Sequence, residues 1–558
     1  MRELDPVTAD LMAAGAPFEL ATAEINGFPM RVFKNAPVNL VDVLHAAGEF
    51  GDTEFIIEGE RRLSFKDFLA LSRNLAAWMV AEAGIKAGQS VAIAMKNSTD
   101  WMIAFAAIAH VGAVSVLVNS RGEPRSLRAA IEDADCVMAF VDARCLEKLR
   151  ESGCDVKTVL SSNQSDGETI QKLCDYSKSV QFVERDTDDP ASMFFTSGTT
   201  GRAKAAVISH RSLVTGMMNT KLAMTEAFTK IAKTYNMSVD DLRAAAPQAC
   251  SLLIFPLFHT SGCSSIFLSA LASGGKLVLM DRWNADRAIE LIGKERISAL
   301  GGVPAMHWDV LNSPLCADAD FSSLTSLSCG GQAFPQNLIE AIRKRFPNLV
   351  LGMGYGMTET CGAISQANGE VFLQSPKSSG QVLPIVDVQI VNDQGEVQGP
   401  GGVGDIWVKG ATLMQSYYKR PEETEASFKQ GWFVTGDIGY IDEAGFVFIV
   451  DRKTDMVISS GENIYCAEVE QILSQHPAVL QISTFGIPDD RLGERLVACI
   501  HVGEGGLSKN DFMEFAKAEL ADYKVPTDVW ISTQDFERNA MGKIEKHKLR
   551  EIFLGDLS

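Results

Sequence analysis

Amphipathic helical patterns alternate with short apolar runs through the first half of this chain. Residues 65–83 and 101–110 have helical periodicity, whereas residues 90–95 and 137–141 are typical of buried strands. Strands that alternate with helices form parallel sheets that are covered by helices on both faces. Further strands of this kind are predicted at residues 252–255, 276–279 and 299–302. The sequence therefore predicts an α/β fold of layered sheets and helices.

The pattern changes after residue 381. Residues 382–408 alternate short strands with Gly/Pro turns, which predicts a small β-rich subdomain. Near the C-terminus, residues 482–486 and 496–502 are predicted strands, and Ser508 with Asp511 has the spacing of a helix-capping box. We place a boundary at Asp451, so that residues 1–450 form a large N-terminal domain and residues 451–558 a small α+β domain.

The net charge of the chain limits the kinds of partner that it can bind, and its cysteines indicate the compartment in which it works. The 558 residues carry a formal net charge of −20, which argues against nucleic acid or an anionic membrane as the main partner. The most apolar run, residues 102–118, is interrupted by His110 and Gly112, so we interpret it as a buried helix followed by a strand rather than a membrane span. No signal-peptide pattern begins the sequence. Eleven cysteines without a Cys-x-x-Cys pair indicate reduced thiols in a cytoplasmic protein.

The segment Thr-Ser-Gly-Thr-Thr-Gly-Arg-Ala-Lys lies between two apolar runs and is dense in glycine and hydroxyl groups. Glycine lets the backbone approach an anion, successive N–H groups form a nest for it, and hydroxyls and a lysine add donors and charge. The segment is not a Walker A loop, because Gly-x-x-x-x-Gly-Lys-Ser/Thr cannot be aligned on it. We predict that it binds a phosphate chain through Thr196, Ser197, Gly198, Thr199, Thr200, Gly201 and Lys204.

Three further segments offer groups that a nucleotide would need. Tyr355 could stack on a purine, Thr358 could donate to a phosphate, and Glu359 could hold magnesium, which prefers carboxylate and phosphate oxygens. Asp437 follows a glycine turn and could accept from ribose hydroxyls. Lys543 follows a glycine in a charged tail, where an ordinary surface lysine would be the default interpretation.

Taken together, these segments resemble the acyl-adenylate-forming superfamily, which includes acyl-CoA synthetases, the adenylation domains of peptide synthetases and beetle luciferase. The resemblance spans roughly residues 38–549, with the motifs in the family's order and at similar spacing. The matching segments are residues 196–204, 255–262, 330–335, 355–359, 435–437, 451–452, 460–463 and 542–543.

The resemblance implies a role for each motif. The loop from Thr196 to Lys204 would cradle the β- and γ-phosphates of ATP, Asp437 and Arg452 would bind the ribose, and Asp451 would be the hinge of a mobile C-terminal domain. Lys543 would bridge the acid carboxylate and the α-phosphate. The remaining nucleotide contacts would come from Gly331, Gln332, Ala333, Tyr355, Gly356, Met357 and Thr358. The catalytic set would be Lys543, Glu359 (also the magnesium ligand), Thr196 and His259, with Gly461 beside the channel for the thiol of CoA.

Some positions depart from the family pattern. Ala203-Lys204-Ala205 stands where relatives usually have Pro-Lys-Gly, and Thr454 stands where many carry lysine. Ser460 and Cys466 replace a common glycine and a common proline. These differences bear on the domain rotation and the thiol channel more than on adenylation. Residues 221–249 form a helical, lysine-containing stretch that we interpret as a surface excursion of unassigned role.

The acid pocket is expected among residues 258–263, 301–306, 329–333 and 353–355, which are apolar and small apart from His259. These segments contain no Arg or Lys for a second carboxylate and no Asp for an amine. A medium- or long-chain fatty acid or an aromatic acid therefore fits best. The expected protein is an ATP- and Mg²⁺-dependent acyl-CoA synthetase, with a homodimer left open. The alternatives are transfer to a carrier-protein thiol, oxidation as in luciferase, and a non-catalytic nucleotide-binding paralogue.

Overall fold

Two large, mostly parallel sheets and two smaller ones organise the chain. The structure, a computed structural model, describes residues 4–161, 168–196, 203–331, 334–453, 455–459, 462–489, 491–503, 506–538 and 544–556. Within these residues the sheets have seven, nine, five and five strands, and a two-stranded hairpin lies near the N-terminus.

The elements follow one another in three stretches. The first stretch contains α1 (Pro6–Met12), β1 (Leu20–Ile25), β2 (Phe28–Phe33), α2 (Leu40–Ala47), β3 (Glu54–Glu58), β4 (Arg61–Ser64), α3 (Phe65–Ala81), β5 (Ser90–Ala94), α4 (Thr99–Val111), β6 (Val114–Leu117), α5 (Pro124–Asp133), β7 (Met138–Val141), α6 (Ala143–Ser152), β8 (Lys157–Leu160), α7 (Ile170–Leu173), β9 (Pro190–Phe195) and β10 (Ala205–Ser209).

The second stretch contains α8 (His210–Tyr235), α9 (Val239–Ala245), β11 (Cys250–Leu253), α10 (Thr260–Gly262), a π-helical segment (Cys263–Leu268), α11 (Ser269–Ser273), β12 (Lys276–Leu279), α12 (Ala285–Glu295), β13 (Ala299–Gly302), α13 (Pro304–Asn312), β14 (Ser326–Gly330), α14 (Gln336–Arg345), β15 (Val350–Met357), β16 (Gly362–Asn368), α15 (Gly369–Gln374) and β17 (Gln381–Val382).

The third stretch contains β18 (Val386–Val391), β19 (Gly404–Gly410), β20 (Ser416–Tyr417), α16 (Pro421–Ser427), β21 (Phe428–Lys429), β22 (Trp432–Ile441), β23 (Val447–Arg452), β24 (Val457–Ser459), β25 (Glu462–Ile464), α17 (Cys466–Leu473), β26 (Val479–Asp489), β27 (Gly493–Val502), α18 (Lys509–Glu519), β28 (Asp528–Ser532) and α19 (Lys546–Asp556).

The seven-stranded sheet has the order β20-β10-β9-β6-β5-β7-β8. Its core strands β9, β6, β5, β7 and β8 are parallel, whereas β10 returns antiparallel to β9 with Ala205 opposite Phe195. The two apolar runs that flank the predicted phosphate loop are therefore adjacent strands. The end of β9 and the start of β10, between which the loop lies in the sequence, are therefore side by side.

The nine-stranded sheet has the order β17-β16-β15-β14-β13-β11-β12-β3-β4. All pairs from β15 to β3 are parallel, and antiparallel strands complete both edges. In open parallel sheets, ligands bind beyond the carboxyl ends of the strands. The segments that follow β11, β13, β14 and β15 are therefore the natural place for a site.

Most of the predicted elements are confirmed with small shifts. The strands at 276–279 and 299–302 have the predicted bounds, whereas the strand predicted at 252–255 lies at Cys250–Leu253. Pro256, which lacks an N–H, follows closely and ends the ladder early. The apolar run 102–118 forms α4 and β6, separated at Gly112 by a left-handed residue with φ of 76°. In the described part of the chain, no helix combines the length and apolar character needed to cross a membrane.

The remaining sheets belong to the last third of the chain. β18, β19, β22, β21 and β23 form a β-rich unit that begins at Val386 and extends well beyond the predicted residues 382–408, to Arg452, and Asp451 lies near the end of β23. β25, β24, β27, β26 and β28 form the last sheet, whose apolar core with α17 and α18 draws only on residues 457–531. All eleven cysteines lie in the described residues as free thiols, as predicted.

Aromatic side chains fill the interior beside the π-helical segment. Phe267 is fully buried, and its ring centroid lies 5.8 Å from that of Phe105 and 6.2 Å from that of Phe68. We expect Phe267→Ala to lower the free energy of unfolding by about 3–5 kcal/mol, because a large cavity would remain. Tyr235→Ala is the control, since Tyr235 is 71% exposed. Equal shifts of the two variants in denaturant-induced unfolding would contradict this prediction.

Candidate active site

A cavity of about 590 Å³ lies where three of the sheets meet. The seven-stranded sheet contributes Thr196 and Lys204 at the ends of β9 and β10, and the nine-stranded sheet contributes Tyr355 on β15. The β-rich sheet contributes Asp437 and Arg452. Residues that are far apart in the sequence thus line one space.

The base of the predicted phosphate loop is closed by a backbone hydrogen bond. The N–H of Thr196 donates to the carbonyl oxygen of Lys204 over 2.9 Å, and both residues line the cavity. The loop itself, with the predicted residues Ser197, Gly198, Thr199, Thr200 and Gly201, lies outside the described residues. The structure therefore gives the positions of the two residues that flank the loop, Thr196 and Lys204.

A tyrosine that the motif analysis missed orients Glu359. The hydroxyl of Tyr417 donates to Oε1 of Glu359 over 2.8 Å, and Nζ of Lys204 lies 4.8 Å from the centroid of the Tyr417 ring. Burial, followed by the charge of Glu359, raises the pKa of Tyr417, so the hydroxyl remains a donor. β20 pairs with β10, so that Tyr417 lies opposite Ala206, which is two residues after Lys204 in the chain. Tyr417 is 58 residues from Glu359 in the chain, so no local motif indicates it.

The residues around Glu359 fit a magnesium ion bound together with phosphate oxygens. Glu359 is not part of an all-protein metal site, because the described residues contain no group of three or more His, Cys, Asp or Glu side chains suited to a metal. Mg²⁺ is usually bound by one or two carboxylates, several waters and substrate phosphates rather than by an all-protein cage. One oriented carboxylate at the cavity wall agrees with that kind of site.

At the other end of the cavity, Tyr355, Asp437 and Arg452 form a hydrogen-bonded group. The Tyr355 hydroxyl donates to Oδ2 of Asp437 over 2.6 Å, and Nε of Arg452 lies 3.1 Å from Oδ1. Asp437 and Arg452 are direct cross-strand partners on β22 and β23. Burial, and then the carboxylate of Asp437, raise the pKa of Tyr355 well above its usual value. Asp437 is only 3% exposed, and its unused lone pairs are what a ribose hydroxyl would reach.

Between these two ends the backbone forms the wall. Gly331, with φ of 78°, and Gly356, Met357 and Thr358 all line the cavity. A Cβ added to Gly356 would lie 1.9 Å from the carbonyl oxygen of Gly362, so only glycine fits where β15 turns into β16. Gln332 and Ala333, predicted beside the adenine, lie outside the described residues.

His259, which was predicted at the acid pocket, is among the residues of the cavity wall. It lines the cavity just before α10, and its ring centroid is 4.7 Å from that of Phe258. α10, the π-helical segment and α11 form one continuous helix, and Ser264 and Ser265 of the π-helical turn also line the cavity. π-helical turns inside α-helices occur frequently at functional sites.

Parts of the segments predicted for the acid pocket line the cavity, where neutral polar side chains stand beside apolar and small ones. α8, which begins before the predicted helical stretch 221–249, also contributes to the wall. The neutral polar side chains in the lining that were not assigned to the nucleotide include Asn219, Thr220, Ser251, Thr260, Ser261, Ser264, Ser265, Ser328, Gln366 and Asn368.

The predicted hinge residue is tied to the C-terminal unit by its carboxylate. The backbone N–H of Cys466, at the start of α17, donates to Oδ2 of Asp451, and the N–H of Arg452 donates to Oδ1 over 2.7 Å. A proline at position 466 would have no N–H to donate. Burial raises the pKa of Asp451 to about 6, although the charge of Lys546 opposes the shift. Gly461 and Lys543 lie outside the described residues.

Two family models match this sequence. The model of the AMP-binding enzyme covers residues 43–418, and that of the AMP-binding enzyme C-terminal domain covers residues 468–543. The chain belongs to the AMP-binding enzyme family. The predicted membership of the acyl-adenylate-forming superfamily is thereby confirmed, and with it the prediction of an enzyme.

Relatives of this AMP-binding enzyme act on different acids. The long-chain-fatty-acid–CoA ligase FadD13 of Mycobacterium tuberculosis is 30% identical over 88% of this chain and 93% of its own length. The indoleacetate–CoA ligase of Aromatoleum aromaticum is 30% identical over 91% of this chain and 96% of its own length. The solved o-succinylbenzoate-CoA synthetase of Bacillus subtilis, in complex with an acyl-adenylate, has a TM-score of 0.75 and 26% identity over 92% of this chain and 98% of its own.

The contact between Tyr417 and Glu359 gives a prediction about magnesium-dependent nucleotide binding. We expect Tyr417→Phe to raise the Kd for ATP about tenfold in the presence of Mg²⁺, because the oriented carboxylate loses its donor. Without Mg²⁺ the change should be smaller, since the ring beside Lys204 is kept. Tyr418→Phe is the control, because its hydroxyl donates to Asp135 at an exposed position. Equal effects of Tyr417→Phe with and without Mg²⁺ in calorimetric titrations would argue against this role.

The raised pKa of Asp451 predicts a pH-dependent stability difference. In the folded chain Asp451 binds its proton up to about pH 6, whereas the unfolded carboxyl releases it near 3.8. The stability contributed by this protonation is complete below about pH 4 and is lost as the pH rises through 6. We expect the stability of Asp451→Asn, which cannot ionise, to rise relative to that of the natural chain as the pH increases from 5.5 to 8, by about 3 kcal/mol at most, on top of a pH-independent cost for the second acceptor oxygen that asparagine lacks.

Thermal unfolding of both proteins across this pH range measures the difference. Asp393→Asn serves as the control, because Asp393 is exposed in a turn of the β-rich unit. A difference between Asp451→Asn and the natural chain that stays constant with pH would contradict the assignment.

Proposed function

We propose that this protein is an AMP-forming acyl-CoA synthetase. A carboxylic acid would first react with ATP to give an acyl-adenylate and pyrophosphate, and the thiol of CoA would then displace AMP. The observation that carries the proposal is the convergence on one cavity of Lys204, the oriented Glu359, and the Tyr355–Asp437–Arg452 group. The relatives support the same reaction, since they are named CoA ligases, and one related structure contains ATP and a magnesium ion.

The chemistry of the first step is mainly positioning and charge neutralisation. An oxygen of the acid carboxylate attacks the α-phosphorus of ATP, and the bond to pyrophosphate breaks. Both reactants are anions, so cations around the phosphates lower the barrier without any protein nucleophile. Lys204 and Lys543 are the side chains proposed for this task, and a magnesium ion on Glu359 would neutralise phosphate oxygens. Asp437 and Arg452 would hold the ribose, so that the α-phosphate faces the acid side.

In the second step the thiol sulfur attacks the carbonyl carbon, and the bond from that carbon to the AMP oxygen breaks. We assign Gly461 to the channel that admits the thiol and His259 to the entrance of the acid pocket. Residues 451–558 are proposed as a mobile domain that turns about Asp451 between the two steps. Such a rotation would let one cavity host both reactions while it excludes water from the reactive anhydride.

The acid is proposed to be a medium- or long-chain fatty acid or an aromatic acid. The names of the relatives include both a long-chain fatty acid and the aromatic acid indoleacetate, so they do not favour one kind of acid over the other. They also favour CoA over a carrier-protein thiol as the acceptor. A non-catalytic paralogue is disfavoured because Lys204, Glu359 and Lys543 are all retained.

The role of Lys543 is tested by its removal. We expect Lys543→Ala to reduce acid-dependent pyrophosphate release at least 100-fold while the Kd for ATP changes little, because the lysine acts on the reacting groups. Lys517→Ala, an exposed lysine on α18, is the matched control. Turnover of Lys543→Ala equal to that of the control would remove Lys543 from this role.

The acceptor is tested in the same assay. AMP release from ATP and a panel of fatty and aromatic acids should depend on CoA and should yield the acyl-CoA. AMP release that needs a phosphopantetheinylated carrier protein and ignores CoA would instead favour the carrier-loading alternative.

A further inference from the structure

A short hairpin turn carries two of the residues that we assign to the nucleotide. Residues 358–361 join β15 to β16, and Met357 pairs directly with Gly362 at the base of this turn. Thr358 and Glu359 lie in the turn and line the cavity. The positions of both residues therefore depend on how the turn is held between the two strands.

The hydroxyl of Thr360 connects the two strands at the base of the turn. The N–H of Met357 donates to Oγ1 of Thr360 over 3.1 Å, and Oγ1 donates to the carbonyl oxygen of Gly362 over 2.7 Å. The carbonyl oxygen of Met357 is a second acceptor within reach, at 3.1 Å. A hydroxyl can accept and donate at the same time, so one side chain joins the end of β15 to the start of β16.

Thr360 lies behind the cavity wall rather than in it. The residues on either side of it in the chain line the cavity, namely 357–359 and 361–363. Thr360 itself is fully buried and is absent from the described lining. A side chain in this position does not touch a ligand in the cavity. It can act only through the residues that it holds.

The backbone of the turn is one that needs such support. Cys361 has a φ of 51°, in the left-handed region that residues other than glycine seldom adopt. The carbonyl oxygen of Gly362 packs so closely against Gly356 that no Cβ would fit there. Backbone in a sparsely populated conformation persists where the surrounding contacts hold it. Without the Thr360 hydroxyl, we expect the turn to relax and the groups that it carries to move.

We propose that Thr360 is a positioning residue for adenylation, whose hydroxyl sets the turn that presents Thr358 to the phosphates and Glu359 to magnesium. This inference rests on the proposed acyl-CoA synthetase activity and adds a residue to its machinery. Tyr417 holds the carboxylate of Glu359 from the neighbouring sheet, and Thr360 holds the backbone that carries it. Mg²⁺ demands near-ideal ligand geometry, and a misplacement of about 1 Å can cost a reaction roughly 100-fold in rate.

Two substitutions in the full-length protein separate the hydroxyl from the shape of the side chain. Thr360→Val keeps the shape and removes the hydroxyl, whereas Thr360→Ser keeps the hydroxyl. We expect Thr360→Val to lower kcat for acid-dependent pyrophosphate release by about 10- to 100-fold, because the turn moves. Thr360→Ser should stay within about threefold of the natural rate, because both hydrogen bonds can still form.

Calorimetric titration with ATP gives a second readout that needs no turnover. The quantity compared is the magnesium ratio, which is the Kd for ATP without Mg²⁺ divided by the Kd with it. We expect Thr360→Val to lower this ratio about fivefold in the natural chain. In a Glu359→Gln background, which already lacks the carboxylate charge, the same substitution should change the ratio less than about twofold, because residues that act on one group are not additive.

Thr169→Val is the matched control, because Thr169 is also buried and its hydroxyl accepts from the N–H of Lys172, outside the described cavity lining. If Thr360→Val loses no more rate than this control, or lowers the magnesium ratio equally in the Glu359→Gln background, the inference is overturned. CoA-dependent AMP release by the natural chain then still upholds the synthetase activity.

A variant that does not fold is replaced in the same comparison. If thermal unfolding shows that Thr360→Val is unfolded, Thr360→Cys takes its place, because a thiol is only a weak donor and acceptor. If the natural chain releases neither pyrophosphate nor AMP with any acid although ATP binds, the synthetase activity itself fails and this inference falls with it.

Discussion

Two tyrosine–carboxylate hydrogen bonds fix the geometry on which the site depends. Tyr417 joins the edge of the seven-stranded sheet to Glu359 at the end of β15, and Tyr355 joins β15 to Asp437 of the β-rich sheet. Burial raises the pKa of both phenols, so each remains a donor at neutral pH while the carboxylate accepts. The three sheets are thereby held around one cavity. A small change in their packing would separate groups that must act on one molecule.

The acidity of the chain explains why such fixed geometry matters. With a formal net charge of −20, the overall field repels a polyphosphate, so binding must depend on a few cations held at short range. Lys204 is positioned by the ring of Tyr417, and Arg452 by the carboxylate of Asp437. Each cation is thus held by a partner that is itself hydrogen-bonded. The positive charge at the cavity therefore depends on how these two cations are oriented and not on a large number of basic residues.

The sequence predicted those parts of the fold and site that depend on neighbouring residues. The strands at Lys276–Leu279 and Ala299–Gly302, for example, are apolar runs with clear boundaries. Tyr417 was not predictable in this way, because only the pairing of β20 with β10 brings it to Glu359. Asn219 lies within the helical pattern of α8, and nothing in that pattern distinguishes a side chain that faces a cavity from one that faces the core. Such positions depend on long-range packing.

The arrangement also explains why similarity to relatives does not identify the acid. The groups assigned to the nucleotide stand on strands and the turns that follow them, whereas α8 and the helix with the π-helical segment contribute other parts of the cavity lining. Substitutions on these helices leave the Tyr355–Asp437–Arg452 group untouched, so substrate choice can change while the adenylating machinery is kept. Relatives with about 30% identity accordingly carry names as different as fatty-acid and indoleacetate ligases. Overall identity at this level therefore does not select one acid among them.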